Sequence, residues 1–140
     1  MFTRTETKKM RTEIENALEI IAKKYGYATK VGNIKFGNVI EAKITVSKMA
    51  SNSHGTYANT PEAQAFLERA ERMGLAKDCL NEKYTFKGET LKITGYNSRA
   101  KKYPINYSKL DNQGNVIQRM KCSEYHLKDI IRANRPEFFL

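Results

Sequence analysis

The stretch 83-KYTFKGETLKITGYNSRAKKYPINYSKLDNQGNVIQRMKC-122 decides how this chain folds. Its apolar period is two. Leu91 and Ile93 flank Lys92, and the runs 83-KYTF-86, 90-TLKITGY-96, 103-YPINYSKL-110 and 116-VIQRMKC-122 are short and rich in β-branched or aromatic residues. Lys87-Gly88-Glu89 and Asn112-Gln113-Gly114-Asn115 supply hairpin turns. Four or five short strands joined by tight turns predict a small antiparallel barrel of the SH3-like kind.

Upstream the period is helical. Met10, Ile14, Ala17, Leu18, Ile21 and Tyr25 recur at spacings of three and four and share one face. Thr3 with Glu6 is a candidate capping box, with Thr5 and Thr7 as rival caps. Lys23 and Lys24 suit the negative end of the helix dipole, and Gly26 suits a left-handed stop. Two strands follow, 27-YATKVGNIKF-36 and 40-IEAKITV-46, with Gly37-Asn38 between them as a turn. The polar run 50-ASNSHGTYAN-59 has no period and is expected to be a linker. Thr60-Pro61-Glu62 then supplies a cap, a first helical residue and a first-turn acid. Ala63, Phe66, Leu67, Ala70 and Met73 form the buried stripe of this second helix, which Gly74 ends.

The close, 123-SEYHLKDIIRANRPEFFL-140, predicts a short helix or 3₁₀ turn through Leu127, Ile130 and Ile131, stopped by Pro136. The apolar end Phe138-Phe139-Leu140 is expected to dock on the barrel, with a protein partner as the alternative. The expected fold is therefore α+β. A helix–hairpin–helix part over residues 1–76 leads into an SH3-like barrel part over residues 77–140, either distinct or packed as one unit.

Composition narrows the function class. The 140 residues suit one domain, or one domain with a small lobe, and 40% hydrophobic content is globular. The formal net charge of +10 favours polyanions: nucleic acid, an acidic membrane or an acidic protein face. Residues 1–76 carry 12 basic and 8 acidic side chains, and residues 77–140 carry 13 and 7, so the shorter part is the more basic. Cys79 and Cys122 form no disulfide framework and are expected to be reduced. The opening MFTRTETKKMRTEIE has no apolar signal region, and no run approaches the length of a membrane span. A soluble, cytoplasmic protein without a membrane partner is expected.

The functional candidates centre on 95-GYNSRAKKYPINYSK-109. Arg99, Lys101 and Lys102 lie within four positions and can neutralise phosphates, while Tyr96 offers a ring for an unstacked base. Lys92, Lys109, Arg119 and Lys121 extend this patch if their strand faces agree. The competing reading packs Tyr103, Pro104 and Ile105 into the barrel and leaves the lysines as solubilising charge. Other chemistry is poorly supplied. Cys122 and His126 have a C-x₃-H spacing, but Cys79 and His54 would have to complete a zinc set from distant segments. Ser51, Ser53 and His54 are neighbours in sequence, which is not triad geometry. Glu13, Glu15 and Glu19 lie on the exposed side of the first helix. No metal, no cofactor and no enzymatic activity are expected.

The run 88-GETLKITGYNSRAKKYPI-105 resembles a pattern in small proteins of bacteriophages and prophages, as does 10-MRTEIENALEIIAKKYGYATKVGNIKF-36 with their opening helix and strand. The C-terminal part is similar to SH3-like barrels of the KOW type, many of which contact nucleic acid. It departs from that pattern after Lys102, where Tyr103-Pro104 replaces a second glycine. The resemblance implies a phage accessory protein in the cytoplasm of a bacterial host cell. Together with the charge, it implies a non-enzymatic protein that binds DNA or RNA through a basic barrel loop with little sequence specificity. The alternative is a phage-encoded inhibitor of a host defence nuclease, anti-CRISPR-like, that contacts a protein or a nucleoprotein complex. Residues 51–59 and 137–140 would be its natural contacts. The positive charge argues against a nucleic-acid mimic.

Overall fold

Helix α1 (Arg4–Tyr25) starts where the spacing predicts, in a computed structural model that describes residues 1–140. The Glu6 N–H donates to Thr3 Oγ1 and the Thr3 N–H donates to Glu6 Oε1, each at 3.1 Å. Two orphan donors are satisfied reciprocally, so Thr5 and Thr7 fall inside the helix. Gly26 ends it with φ of 71°. Strands β1 (Tyr27–Phe36) and β2 (Ile40–Asn52) pair antiparallel, with Val31 opposite Ile44 and Phe36 opposite Ile40. Their register shifts between Val31 and Ile34. There the Arg11 guanidinium donates to the carbonyls of Val31 and Gly32, which the irregular ladder would otherwise leave short of partners.

The chain divides into two units, Met1–Ala50 and Ser51–Leu140. The run expected to be a linker is structured. β2 continues to Asn52, and β3 (Gly55–Ala58) follows a two-residue turn, giving one sheet the order β1-β2-β3. Within the second unit the Asn52 amide donates to the Leu80 carbonyl at 2.9 Å. Asn81 Nδ2 donates to the carbonyls of Gly55 and Thr56 at 3.3 and 3.2 Å. The small polar residues that resemble a linker are side-chain staples.

The second sheet is a meander in the order β4-β5-β6-β7: Lys83–Phe86, Glu89–Tyr96, Ile105–Leu110 and Val116–Cys122. Lys87 and Gly88 both have positive φ and make the two-residue turn between β4 and β5. Asp111 builds the β6–β7 turn by accepting the N–H groups of Gln113 and Asn115 at 2.9 and 2.8 Å. Helix α2 (Pro61–Arg69) lies on β5 and helix α3 (Glu124–Asn134) on β4. Each is capped by a hydroxyl, Thr60 accepting from Ala63 N–H and Ser123 from His126 N–H. Phe66, Leu75, Tyr84, Ile93, Ile105, Leu127 and Ile130 are fully buried between these layers.

Three expectations change. The fold is α+β with two antiparallel sheets, but neither closes: β4 and β7 are free edges, and no ladder joins them as an SH3-like barrel requires. The sheet does curl, since a Cβ on Gly114 in the β6–β7 turn would stand 3.7 Å from Lys83 Nζ on β4. A division at 76/77 would cut through the second unit, because Ala63, Phe66, Ala70 and Met73 are buried in the same core as the sheet. Of the three residues that the competing reading packs inward, Pro104 and Ile105 are buried, but Tyr103 lies in the β5–β6 loop, 49% exposed. The tail docks as expected, though on the segment after α2. Phe139 bridges Leu75, the Ala76 N–H donates to the Phe138 carbonyl at 2.7 Å, and the Leu140 N–H donates to the Gly74 carbonyl at 3.0 Å. No helix is long and apolar enough to cross a membrane.

Candidate nucleic-acid interface

Strand parity sorts the second sheet into two faces. Tyr84, Leu91, Ile93, Ile105, Tyr107 and Cys122 are buried against the helices. The other face carries Lys83, Thr85, Thr90, Lys92, Asn106, Ser108, Leu110, Arg119 and Lys121. It has four cations, no acid, and neutral hydroxyl and amide groups between them. The register places Lys83 opposite Lys92, Lys92 opposite Ser108, and Ser108 opposite Arg119, one row across all four strands. Lys121 stands opposite Asn106 in the next row, toward the β5–β6 loop. Beside Arg119, a shallow cleft of about 390 Å³ runs along Val116, Ile117 and Gln118 on the free edge of β7.

Like charges directly opposite one another are destabilising. The ammonium pKa of Lys92 is lowered, first by burial and then by the neighbouring Lys83 charge. None of Lys83, Lys92, Arg119 and Lys121 has a carboxylate within 4.0 Å. The paired cations of this unit, Lys109, Arg132 and Arg135, meet Glu89, Asp129 and Glu82 instead.

The loop between β5 and β6 holds its cations in a defined turn. The Asn97 N–H donates to the Pro104 carbonyl at 2.7 Å, the Ala100 N–H to the Asn97 carbonyl at 3.2 Å, and the Arg99 N–H to Asn97 Oδ1 at 3.0 Å. Arg99, Lys101 and Lys102 are exposed, and the Lys102 ammonium lies 5.4 Å from the Tyr103 ring centroid.

The eight residues expected to bind nucleic acid therefore separate. Lys92, Arg119 and Lys121 share the acid-free face, and Arg99, Lys101 and Lys102 occupy the loop at its end. Lys109 has the opposite parity and is held by Glu89 at 2.9 Å. Tyr96 is no open platform, because Arg69 covers its ring at 4.8 Å and its hydroxyl donates to Glu124 Oε1 at 3.3 Å. The exposed ring of the loop is Tyr103. Lys83 was missed by sequence reasoning, although the two-residue turn at Lys87-Gly88 already fixes it opposite Lys92.

A second polar cluster has a structural character. Glu82 Oε1 accepts the Lys83 N–H at 2.8 Å, and Oε2 lies 3.3 Å from both His54 Nδ1 and Arg135 Nη2. These are ionic contacts rather than aligned hydrogen bonds, and both Glu82 Oε2 and His54 Nε2 are buried without a hydrogen-bond partner. The residues weighed for zinc, His54, Cys79, Cys122 and His126, do not come together, and no group of three or more His, Cys, Asp or Glu side chains does. Burial pushes both thiols up to about 12, so Cys79 and Cys122 are protonated at neutral pH. Ser51 and Ser53 make no contact that would activate a hydroxyl through His54, whose Nδ1 faces Glu82. Glu13 and Glu19 are exposed, and Glu15 pairs with Arg11 at 3.3 Å.

No protein-family model, curated protein or solved structure matches the chain.

Proposed function

We propose that the chain is a non-enzymatic nucleic-acid-binding protein whose second unit grips the phosphodiester backbone. The row Lys83–Lys92–Ser108–Arg119 on an acid-free sheet face carries this reading. Lys121 and the loop cations Arg99, Lys101 and Lys102 continue it toward one end of the sheet. The exposed Lys83, Arg119 and Lys121 charges, with the Thr85 hydroxyl on the same face, suit phosphate oxygens, and such contacts position a strand without reading its bases. Binding to DNA or RNA with little sequence preference follows. In this role the curled meander stands where an SH3-like barrel was expected, and its cations supply the contacts while Ser108 and Leu110 between them are buried. The resemblance to small phage proteins supports an origin as a phage accessory protein, acting in the cytoplasm of the host cell.

Fluorescence anisotropy with labelled oligonucleotides tests the reading. Neutralising one phosphate per cation gives a slope of log K against log salt of about −0.7 to −0.9 for each contact. The seven cations of face and loop thus bound the slope at about −5 to −6. Charge reversal at Lys92 and Arg119, or at Arg99, Lys101 and Lys102, should remove most binding without unfolding the protein. Parent-like binding by both variants would sink the proposal.

A second reading, inhibition of a host defence nuclease through protein contact, is favoured by the first unit. Val31 is its one buried apolar side chain, while Met10, Ile21, Tyr25, Ile44 and Val46 are all more than a third exposed. Apolar surface on that scale commonly marks a protein contact. A purified defence nuclease inhibited equally by the parent and by the loop charge-reversal variant, but not by an Ile21→Glu, Val46→Glu variant, would support this reading over the first.

A further inference from the structure

The first unit carries a groove of about 350 Å³ between the opening turns of α1 and the end of β1. Arg4 and Lys8, one helical turn apart, line it together with Arg11, Asn33, Ile34 and Phe36. Arg11 is already committed, to the Val31 and Gly32 carbonyls and to Glu15. Arg4 and Lys8 are exposed and have no carboxylate within 4.0 Å. The Phe36 ring is 46% exposed, although its backbone is fixed. Phe36 sits opposite Ile40 at the hairpin end, and the next residue, Gly37, accepts the Phe2 N–H at 2.6 Å.

We infer that this groove is a subsite for one unpaired nucleotide, with the base stacked on Phe36 and its phosphates held by Arg4 and Lys8. The volume lies at the lower end of the ~300–1,000 Å³ typical of small-ligand clefts. An aromatic ring beside two free cations is the combination that single-stranded nucleic acid uses. Every base has a π-face, and the backbone brings a phosphate within reach of each stacked base. A backbone-fixed ring loses little freedom on stacking. Asn33 adds an exposed amide at the groove edge that can meet a base edge. A duplex hides its base faces, so the subsite takes unpaired strands only. The subsite rests on the nucleic-acid reading of the second unit and narrows it: the second unit grips backbone of either form, and the first unit supplies a preference for single strands.

The test uses the full chain and two probes, a fluorescein-labelled oligo-dT of about twenty nucleotides and a labelled duplex of equal length, long enough to fill a typical single-strand site. The parent is expected to bind oligo-dT more tightly than duplex. Phe36→Ala should weaken oligo-dT binding about 5- to 150-fold, the usual worth of one stacked base, and leave duplex binding unchanged. Phe36→Trp should retain oligo-dT binding, and Arg4→Glu with Lys8→Glu should weaken it. These surface variants keep the test decisive if Phe36→Ala unfolds the hairpin. Equal binding of both probes by the parent, or equal losses on both probes in Phe36→Ala, overturns the subsite. So does parent-like oligo-dT binding by Phe36→Ala and by the Arg4, Lys8 variant. If the Arg99, Lys101, Lys102 reversal abolishes binding while those variants do not, only the subsite falls. If the parent binds neither probe, the nucleic-acid reading falls and takes the subsite with it.

Discussion

Replacing Gly95 by alanine tests whether α2 belongs to the second unit as the buried stripe requires. Gly95 lies on β5, and its φ is outside the left-handed region, so alanine is compatible with the backbone. In a compatible strand position Gly→Ala is expected to stabilise by about 0.4–1 kcal/mol through the unfolded chain. Here the new Cβ would meet Glu62, in the first turn of α2, at 2.7 Å from Cβ, 2.8 Å from the carbonyl carbon and 2.9 Å from the carbonyl oxygen. Two of these atoms are backbone and cannot rotate away. Ordinary carbon contacts begin near 3.5 Å, so α2 must retreat by about 0.8 Å. Overpacking of this kind costs about 1–3 kcal/mol, which set against the entropic gain leaves a net loss of about 1.3 kcal/mol at mid-range and at most about 2.6 kcal/mol. Cys79 and Cys122 report it selectively, because both are buried in the second unit and the first unit has no cysteine. Alkylation by iodoacetamide, under conditions where opening equilibrates before reaction, should speed up about 9-fold at mid-range and at most about 80-fold. A Gly95→Ala protein labelled no faster than the parent would refute the close approach of α2 to β5.

Lys92→Met should raise stability and lower nucleic-acid affinity together. The folded pKa of Lys92 is lowered, so the fold penalises its charged form. That penalty is fully present below the folded pKa and fades as pH rises toward the unfolded value of about 10.4. Parent stability, followed by urea denaturation, should therefore climb in that alkaline window, whereas the Met variant should lack the climb. At neutral pH the variant should be more stable by about 0.2–1 kcal/mol, the usual worth of a relieved cross-strand repulsion. A less stable variant would mean that Lys92 has a partner in the fold. Deleting Phe138–Leu140 removes four main-chain hydrogen bonds, two of them to Gly74 and Ala76, and two rings packed on the core. It should cost about 1–3 kcal/mol and speed alkylation of Cys79 while leaving oligonucleotide binding intact. An unchanged melting temperature would show that the tail does not help to close the core.

Elements with local punctuation were legible in the sequence. The Thr3–Glu6 capping box, the Gly26 stop and the Lys87-Gly88 turn are each determined by residues a few positions apart, and each stands where the spacing put it. What was not legible depends on distant partners. The run 50–59 looks like a linker because Asn, Ser and Gly serve both free loops and tight hairpins. Only the Leu80 carbonyl, 28 residues away from Asn52, shows which use applies here. Tyr96 and Tyr103 exchange their expected roles for a similar reason. Alternation can say that a tyrosine faces the helices, but not that Arg69 and Glu124 will occupy its ring and hydroxyl. Lys109 illustrates register. The irregularity between Ile93 and Gly95 and the loop after Tyr96 set Lys92 opposite Ser108, which turns Lys109 to the other face. A shift of one residue would have put it beside Lys92.

The contrast between the two β-ribbons bears on whether the basic face is functional or merely solvated. A surface that only needs water mixes charges of both signs, and the β1–β2 ribbon does this by setting Lys35 opposite Glu41. The second sheet had the same option and a nearby acid to use, since Glu89 neutralises Lys109 on the helix-side face. It instead sets Lys83 against Lys92, half-buries Lys92, and extends the row to Arg119 with only Ser108 between them. Solubility is served equally well by either arrangement, but stability is not, because the like-charged row is held at a cost that an acid in place of the exposed Lys83 would remove. A strand of phosphates laid across that row would remove it as well, and would convert the repulsion into affinity that salt weakens. On this argument Lys83→Glu, which sets an acid opposite Lys92 at an exposed position, should stabilise the free protein and weaken its binding, whereas on a merely solvated face it would do only the first.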